Sequence, residues 1–314
     1  MIPTDKPHLN VAAYSHPGET RTNNEDRYSV TAYRMERSPT PALLAVVADG
    51  IGGHRAGEVA SEMTVDTVVQ SLSRSDGHQP VKQLIDAVTE ANRAVFHASR
   101  SDRDHQGMGS TVSIAWVIGT HLYTASVGDS RIYMLRQGNL QQISIDHTWV
   151  QEAIKHEIIQ PDQARDHPQA HVLRRHIGGK EEVEPDLRLR LAENESDEKS
   201  ESNQGLQLLE GDRILLCSDG LTDLVEDEEI QETLNQEPAI DAVASLIDLA
   251  RERGGFDNIT LVILELPVTD QPKPHPRARR FNWFLLTALS ILLLTIVVVA
   301  AMGISWWLGL WPWS

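Results

Sequence analysis

Residues 42–54 read ALLAVVADGIGGH, an apolar run that stops on Asp49-Gly50 and passes into the pair Gly52-Gly53. With Pro41 before it and glycines after it, the run is too short for a covered helix and suits a buried strand. That strand delivers Asp49 to an edge. A carboxylate so placed is costly to bury unless it meets a cation or several donors, and the glycines beside it let other groups come close. Alone, an Asp-Gly turn after a strand would carry no chemistry. The pattern returns in RILLCSDG, residues 213–220, where a second apolar run ends on Asp219. A third carboxylate, Asp257 in GGFDN, precedes the apolar run Ile259 to Leu266, and Glu25-Asp26 stands in RTNNEDR. All are hard oxygen donors with no His or Cys at ligand spacing beside them, which favours Mg²⁺ or Mn²⁺ over Zn²⁺.

The 314 residues allow one large domain or two small ones, and the formal charge is −17. From Phe281 to Ser314 there is no charged residue, and five of the seven tryptophans lie there. Without residues 271–314 the chain loses Lys273, Arg277, Arg279 and Arg280, keeps 24 Lys+Arg against 45 Asp+Glu, and carries −21. So acidic a domain repels nucleic acid, and no nucleic-acid partner is expected. The single cysteine, Cys217, excludes a disulfide within the chain. As a phosphatase nucleophile it would need an Arg six positions on, where Asp223 stands, so a structural role in the strand is expected. The start, MIPTDKPHLN, lacks a signal pattern.

In chain order, Asn10 to Ser15 and Arg27 to Arg34 read as strands around a polar loop that carries Arg21, a residue type suited to a bidentate grip on phosphate. His54 to Leu72 and Pro80 to Ser101 have helical spacing. Gly107-Met108-Gly109 leads into a strand, Ser110 to Ile118, and Gly128-Asp129-Ser130 is a tight turn between Leu122 to Val127 and Arg131 to Arg136. Residues 146–180 break the rhythm with a helix, Thr148 to His156, and a polar segment; His167 and His171 are four apart, but Pro168 weakens any helical zinc pair. The run 193–204 is polar and acidic and is expected to be a mobile loop. Helices over Asp227 to Leu234 and Pro238 to Arg253 precede the last strand, and Pro267 to Pro276 reads as a linker.

The ordered set RTNNEDR, ADGIGGH, GMGST, VGDSR, CSDG and GGFDN resembles the bacterial metal-dependent Ser/Thr protein phosphatases of type 2C, the PPM family, over about residues 8–266. The resemblance implies an α+β fold, a four-layer αββα sandwich of two antiparallel sheets flanked by helices. It implies two core Mn²⁺ or Mg²⁺ ions and a weaker third. Asp49 would bridge the two with the Gly50 carbonyl on one of them, Asp219 and Asp257 would hold the other, and Glu25 and Asp26 would contribute directly or through water. Arg21 would hold the substrate phosphate, and Asp129, with Asp219, would serve the third site. A water bridging the two ions would attack the phosphorus of phosphoserine or phosphothreonine directly. Residues 146–180 correspond to a flap beside the active site. Two positions depart from the pattern: Ile51 follows Asp-Gly where eukaryotic relatives often have a histidine, and Glu157 stands where glycine is expected. The rival reading, a catalytically inactive phosphoprotein-binding module, would have lost ligand carboxylates, and all are present.

The expected organisation is an N-terminal extension over residues 1–10, the phosphatase domain over 11–266, a basic Pro-rich linker over 267–282, a transmembrane helix over 283–305 and a Trp-rich tail over 306–314. The apolar run is long enough to span a bilayer, its basic residues lie on the amino-terminal side, and Trp306, Trp307, Trp311 and Trp313 suit the far interface. The expectation is a bacterial inner-membrane protein with a cytoplasmic catalytic domain, whose partners are phosphorylated proteins, including a Ser/Thr kinase or its substrates, and the lipid bilayer.

Overall fold

The run that ends on Asp49 is a strand, Pro41–Ala48, and Ala42 to Ala48 are wholly buried. Its side chains alternate between two cores, as a strand's period of two requires. Ala42, Leu44, Val46 and Ala48 meet Val68, Leu72, Leu84 and Val88 from two helices, whereas Leu43, Ala45 and Val47 meet Ile132, Leu216 and Val262 of a second sheet. Both faces are covered, so the sequence is apolar without alternation. Each fully buried Leu or Val contributes about 1.5–3 kcal/mol.

The computed structural model describes residues 1–268 apart from 37, 53, 54, 102 and 193, together with 294, 295 and 297–305. Two units are present, Met1–Val268 and Thr269–Ser314. Among the described residues of the first, one sheet has six strands in the spatial order Ile2–Pro3, Arg27–Arg34, Pro41–Ala48, Val112–Ile118, His121–Val127, Leu206–Gln207. The other has five, in the order Asn139–Gln142, Arg131–Arg136, Arg213–Cys217, Ile259–Glu265, Asn10–His16. Neighbours within each sheet run antiparallel. Helices Arg55–Ser73 and Pro80–Ser101 cover the outside of the first sheet. Helices Asp227–Gln236 and Ala239–Glu252 cover the second, through Ile230, Leu234 and Leu246 against Leu215, Leu261 and Ile263. These are the two antiparallel sheets and flanking helices expected.

The strand register brings the acidic residues to one end. Cys217 lies opposite Arg131 and Leu261, and His16 opposite Ile259. Asp219 after its strand, Asp129 and Asp257 before theirs, and the loop that carries Arg21 therefore leave the second sheet on the same side. In the first sheet Ala48 pairs with Arg27, which sets Asp49 beside Asp26.

Two stretches differ from expectation. Residues 1–10 are not an appendage: Ile2–Pro3 adds a strand against Tyr33 and Arg34, and Leu9 is buried between the sheets. The segment 193–204 holds a helix, Asp197–Ser202, rather than only a loop. Ser196 caps it by accepting from the Lys199 amide, Asp197 and Glu198 suit its first turn, and Ser200 is buried. Polar composition hid a capped helix. The transmembrane expectation falls mostly outside the described residues, and no helix among those described is long and apolar enough to cross a membrane.

Helix Trp149–Lys155 ends as its sequence does not suggest. The Glu157 amide donates to the Ile154 carbonyl and the Ile158 amide to the Ala153 carbonyl, the two bonds of a Schellman turn, with Glu157 left-handed at φ 58°. This is why glycine was expected there. A left-handed L-residue costs about 1–2 kcal/mol, so Glu157→Gly is expected to raise stability by up to about 1 kcal/mol after the entropy that glycine loses on folding. Urea unfolding measures it; a lower midpoint would show that the Glu157 side chain contributes more than its backbone costs.

Candidate active site

The end of the sheets opens into a cleft of about 370 Å³ lined by Arg21, Glu25, Asp49, Gly50, Asp129, Asp219 and Asp257, with Ile51, Gly52, Thr111, His171 and Leu173. Of the residues the resemblance assigns to cations or phosphate, Asp26 alone does not line it. It lies behind, 2% exposed, where the Ser218 hydroxyl donates to its Oδ2 at 2.7 Å.

Asp49, Glu25 and Asp257 are fixed by hydrogen bonds to neighbouring groups. The Asp49 amide donates to Thr111 Oγ1 at 2.9 Å, and the Asp49 carbonyl accepts from the Thr111 amide at 2.8 Å and the Ser110 hydroxyl at 2.9 Å. Asn258 ties two loops together: its Oδ1 accepts from the Glu25 amide at 2.7 Å, while its Nδ2 donates to the carbonyls of Pro17 and Asn23. Asp257 Oδ1 accepts from the Asn258 amide, and its Oδ2 takes the Arg21 guanidinium at 2.6 Å. Glycines permit the close approach. A Cβ on Gly50 would stand 2.2 Å from the Gly57 carbonyl oxygen, and one on Gly220 2.0 Å from that of Asn258.

The electrostatics are those of a cage of like charges. Burial first, then Asp219, Asp26 and Asp129, push the Asp49 carboxyl far above the ordinary range. Burial, then Asp219, do the same to Asp129. Asp219 is raised by burial and Asp257, and Asp26 is pushed up to about 7 by burial, against the Ser218 hydrogen bond. Asp49 and Asp219 lie within hydrogen-bond reach of one another. Two carboxylates that close cannot both stay charged without a proton or a cation between them. One buried oxygen on each of Asp26 and Asp219 has no hydrogen-bond partner.

A family model for protein phosphatase 2C matches residues 19–254. The chain belongs to the protein phosphatase 2C family. The serine/threonine protein phosphatase PstP of Mycobacterium tuberculosis is 37% identical over 268 residues, 85% of this chain; the chain spans about half, 47%, of PstP's length. Protein phosphatase PhpP of Streptococcus pneumoniae is 31% identical over 266 residues, 83% of this chain and 99% of PhpP. A solved structure of the PstP catalytic domain in complex with two manganese ions shares 35% identity over 82% of this chain and 97% of that one, with a TM-score of 0.66.

The donor set of this chain fits Mn²⁺ or Mg²⁺: hard oxygens, mutually repelling, with partnerless buried atoms among them. The sequence pairs His171 with His167 and does not join it to Asp219 and Asp223. Its Nδ1 is 3.3 Å from Asp223 Oδ2, and His171, Asp219 and Asp223 have ligand-type atoms within 4.8 Å of one another. The zinc pair with His167 is not what this geometry offers, since the His167 ring stacks on Trp149 at 4.8 Å. Asp223 is pushed up to about 7 by burial and Asp219, with His171 opposing. The grouping of His171 with Asp219 and Asp223 exists only in three dimensions, because those partners lie about fifty residues away in sequence.

The raised carboxyls fix the pH dependence of the metal-free protein. Asp26 folds with a pKa of about 7 against about 3.9 unfolded, so the folded state binds the extra proton and stability falls as pH rises through 7. In excess EDTA the melting temperature is expected to be higher at pH 6 than at pH 8. Mn²⁺ competes with those protons, so its stabilisation is expected to be larger at pH 8. A melting temperature that instead rises with pH in EDTA would contradict the electrostatics described.

Proposed function

We propose that the chain hydrolyses phosphoserine and phosphothreonine in proteins by direct attack of water on phosphorus. One observation carries the reading: Asp49, Asp219, Asp257 and Glu25 face a single arginine, Arg21, across one cleft. When bound, two divalent cations lower the pKa of a water towards neutrality and clamp phosphate oxygens. The residues that would hold them are Asp49 with the Gly50 carbonyl, Asp219, Asp257, Glu25 and Asp26, with Asp129 and Asp219 serving a weaker third. Asp49 lies at the centre of the repulsion and suits the shared position. Arg21, half exposed and tethered to Asp257, lines the cleft. There it binds the non-bridging phosphate oxygens and stabilises their charge in the transition state. No side chain need become phosphorylated, and Cys217 is unsuited to it: burial pushes its thiol far up, so it stays protonated.

The expected outcome is phosphate release from a phosphothreonine peptide that requires Mn²⁺ or Mg²⁺. Asp49→Asn abolishes it, Arg21→Ala lowers turnover by about 10²-fold, as loss of a preorganised donor does, and Cys217→Ala leaves it unchanged. Undiminished release in excess EDTA overturns the reading.

The same proposal anchors the enzyme in a bacterial inner membrane through residues 283–305, with the catalytic unit in the cytoplasm beside a Ser/Thr kinase or its substrates. Support comes from the uncharged run after Phe281 and the four basic residues on its amino-terminal side. The described part of that run, Leu294-Thr295 and residues 297–305, is helical and exposes Leu294, Val297, Val299, Met302 and Ile304. So continuous an apolar surface needs a cover. Alkaline phosphatase fused after Ser314 is expected to be active and green fluorescent protein dark; the opposite pattern, or full-length protein soluble without detergent, refutes the anchor.

A further inference from the structure

Asp129 stands on a turn gripped on both flanks, on one of them by His147, which does not line the cleft. On one flank the Gly128 amide donates to His147 Nδ1 at 3.0 Å, and the His147 amide donates to the Gly128 carbonyl at 2.9 Å. On the other, Ser130 Oγ shares a hydrogen bond of 2.6 Å with Thr111 Oγ1, and the Ser113 hydroxyl donates to the Ser130 carbonyl. Gly128 takes φ +108°, and a Cβ on it would stand 2.6 Å from the Thr111 side chain, so the turn is wedged as well as bonded.

The His147 ring is oriented in its turn. Its Nε2 lies 3.0 Å from Asp186 Oδ2, and both side chains are buried. Asp186 also receives the Arg188 guanidinium on both oxygens and the Arg188 amide on Oδ1. Its backbone exchanges two hydrogen bonds with Ser126, two residues before Gly128. Burial would raise the Asp186 carboxyl, but the bonds from His147 and Arg188 outweigh it and hold it well below the ordinary range. A charged carboxylate at Nε2 and an amide N–H at Nδ1 leave one arrangement. The ring is neutral, with its proton on Nε2.

We propose that His147 is a positioning residue for Asp129: its ring, oriented by Asp186 and Arg188, holds the Gly128 amide and so sets where the Asp129 carboxylate enters the cleft. The inference rests on the reading of Asp129 as a ligand of the weaker third cation. The consequence is specific. The outer cation depends on a ring that touches neither cation nor substrate, through Nδ1 alone, while the core pair, held by Asp49, Asp219 and Asp257, does not.

The two nitrogens separate in substitution. In His147→Asn the side-chain oxygen falls where Nδ1 stood and still accepts from Gly128. In His147→Gln the amide falls where Nε2 stood, keeping Asp186 and losing Gly128. Calorimetric Mn²⁺ titration of the full chain in detergent is expected to show the tight pair unchanged in both variants. The weaker event is expected to stay near wild type in His147→Asn and to weaken by about tenfold or more in His147→Gln, the usual cost of losing a group that orients a ligand. Melting temperatures report any general loss of packing, which would not order the two variants in this way. Equal behaviour of the two, or a stronger weak event in His147→Gln, overturns the proposal. An unchanged weak event in Asp129→Asn instead sinks the assignment of Asp129, whatever His147 does. If either variant fails to fold, ¹⁵N shifts of the wild-type ring decide: a bare Nδ1 with a protonated Nε2 is required, and an imidazolium or an Nδ1–H ring overturns it.

Discussion

Four buried or half-buried carboxylates, Asp26, Asp49, Asp129 and Asp219, crowd one end of two packed sheets, and each is driven up in pKa by burial and by at least one other acid of the cleft. Two unit charges about 4 Å apart at an effective dielectric of 20 repel by about 4 kcal/mol, a large share of the stability of an ordinary domain. Such a cluster exists only where the surrounding chain leaves it no way to spread. The fold supplies that stiffness by burying both faces of the strand before Asp49 and by placing Asp219 just after a strand paired on both sides.

What holds the acids apart from water also holds them close to one another. Gly50 and Gly57 nearly touch, Gly220 meets the Asn258 carbonyl, and Thr111 bonds both the Asp49 amide and Ser130. Replacing these small or hydroxyl-bearing groups by larger apolar ones would relieve the repulsion by separating the carboxylates, at the cost of the cation site. Local strain and charge are therefore retained where the cleft uses them, and the helices and outer strands follow ordinary patterning.

Much of this could be read in the sequence because strand and site coincide. An apolar run that stops dead on Asp-Gly marks a covered strand with a polar end, and two such runs point to one edge. The same logic failed where polarity and structure part company. Residues 196–202 are polar throughout yet form a helix, since Ser196 and the acids after it satisfy its first turn. Residues 1–10 carry no strand pattern yet complete a sheet, because an edge strand needs only one partner. His171 and Asp223 were both visible but had no reason to be joined until the chain brought them within 3.3 Å at the cleft. Side-chain networks such as His147 with Asp186 have no sequence period at all.

The segment 146–180 is tied at both ends to the stretches that carry the acids. At its start His147 bonds Gly128, next to Asp129. Towards its end Ile177 and Ser110 exchange backbone bonds of 2.7 and 3.1 Å, and Ser110 bonds the Asp49 carbonyl. Between these ties the Trp149 amide donates to the Val172 carbonyl and the Arg174 amide to that of His147, so the segment closes on itself beside His171 and Leu173 of the cleft wall. A segment so anchored cannot shift as a rigid body without pulling on Asp49 or Asp129. The stretch around Glu157 and the Pro161–Gln163 turn lies outside these ties and is largely exposed. Sequence change there alters what meets the cleft mouth while the ties hold the carboxylates in place.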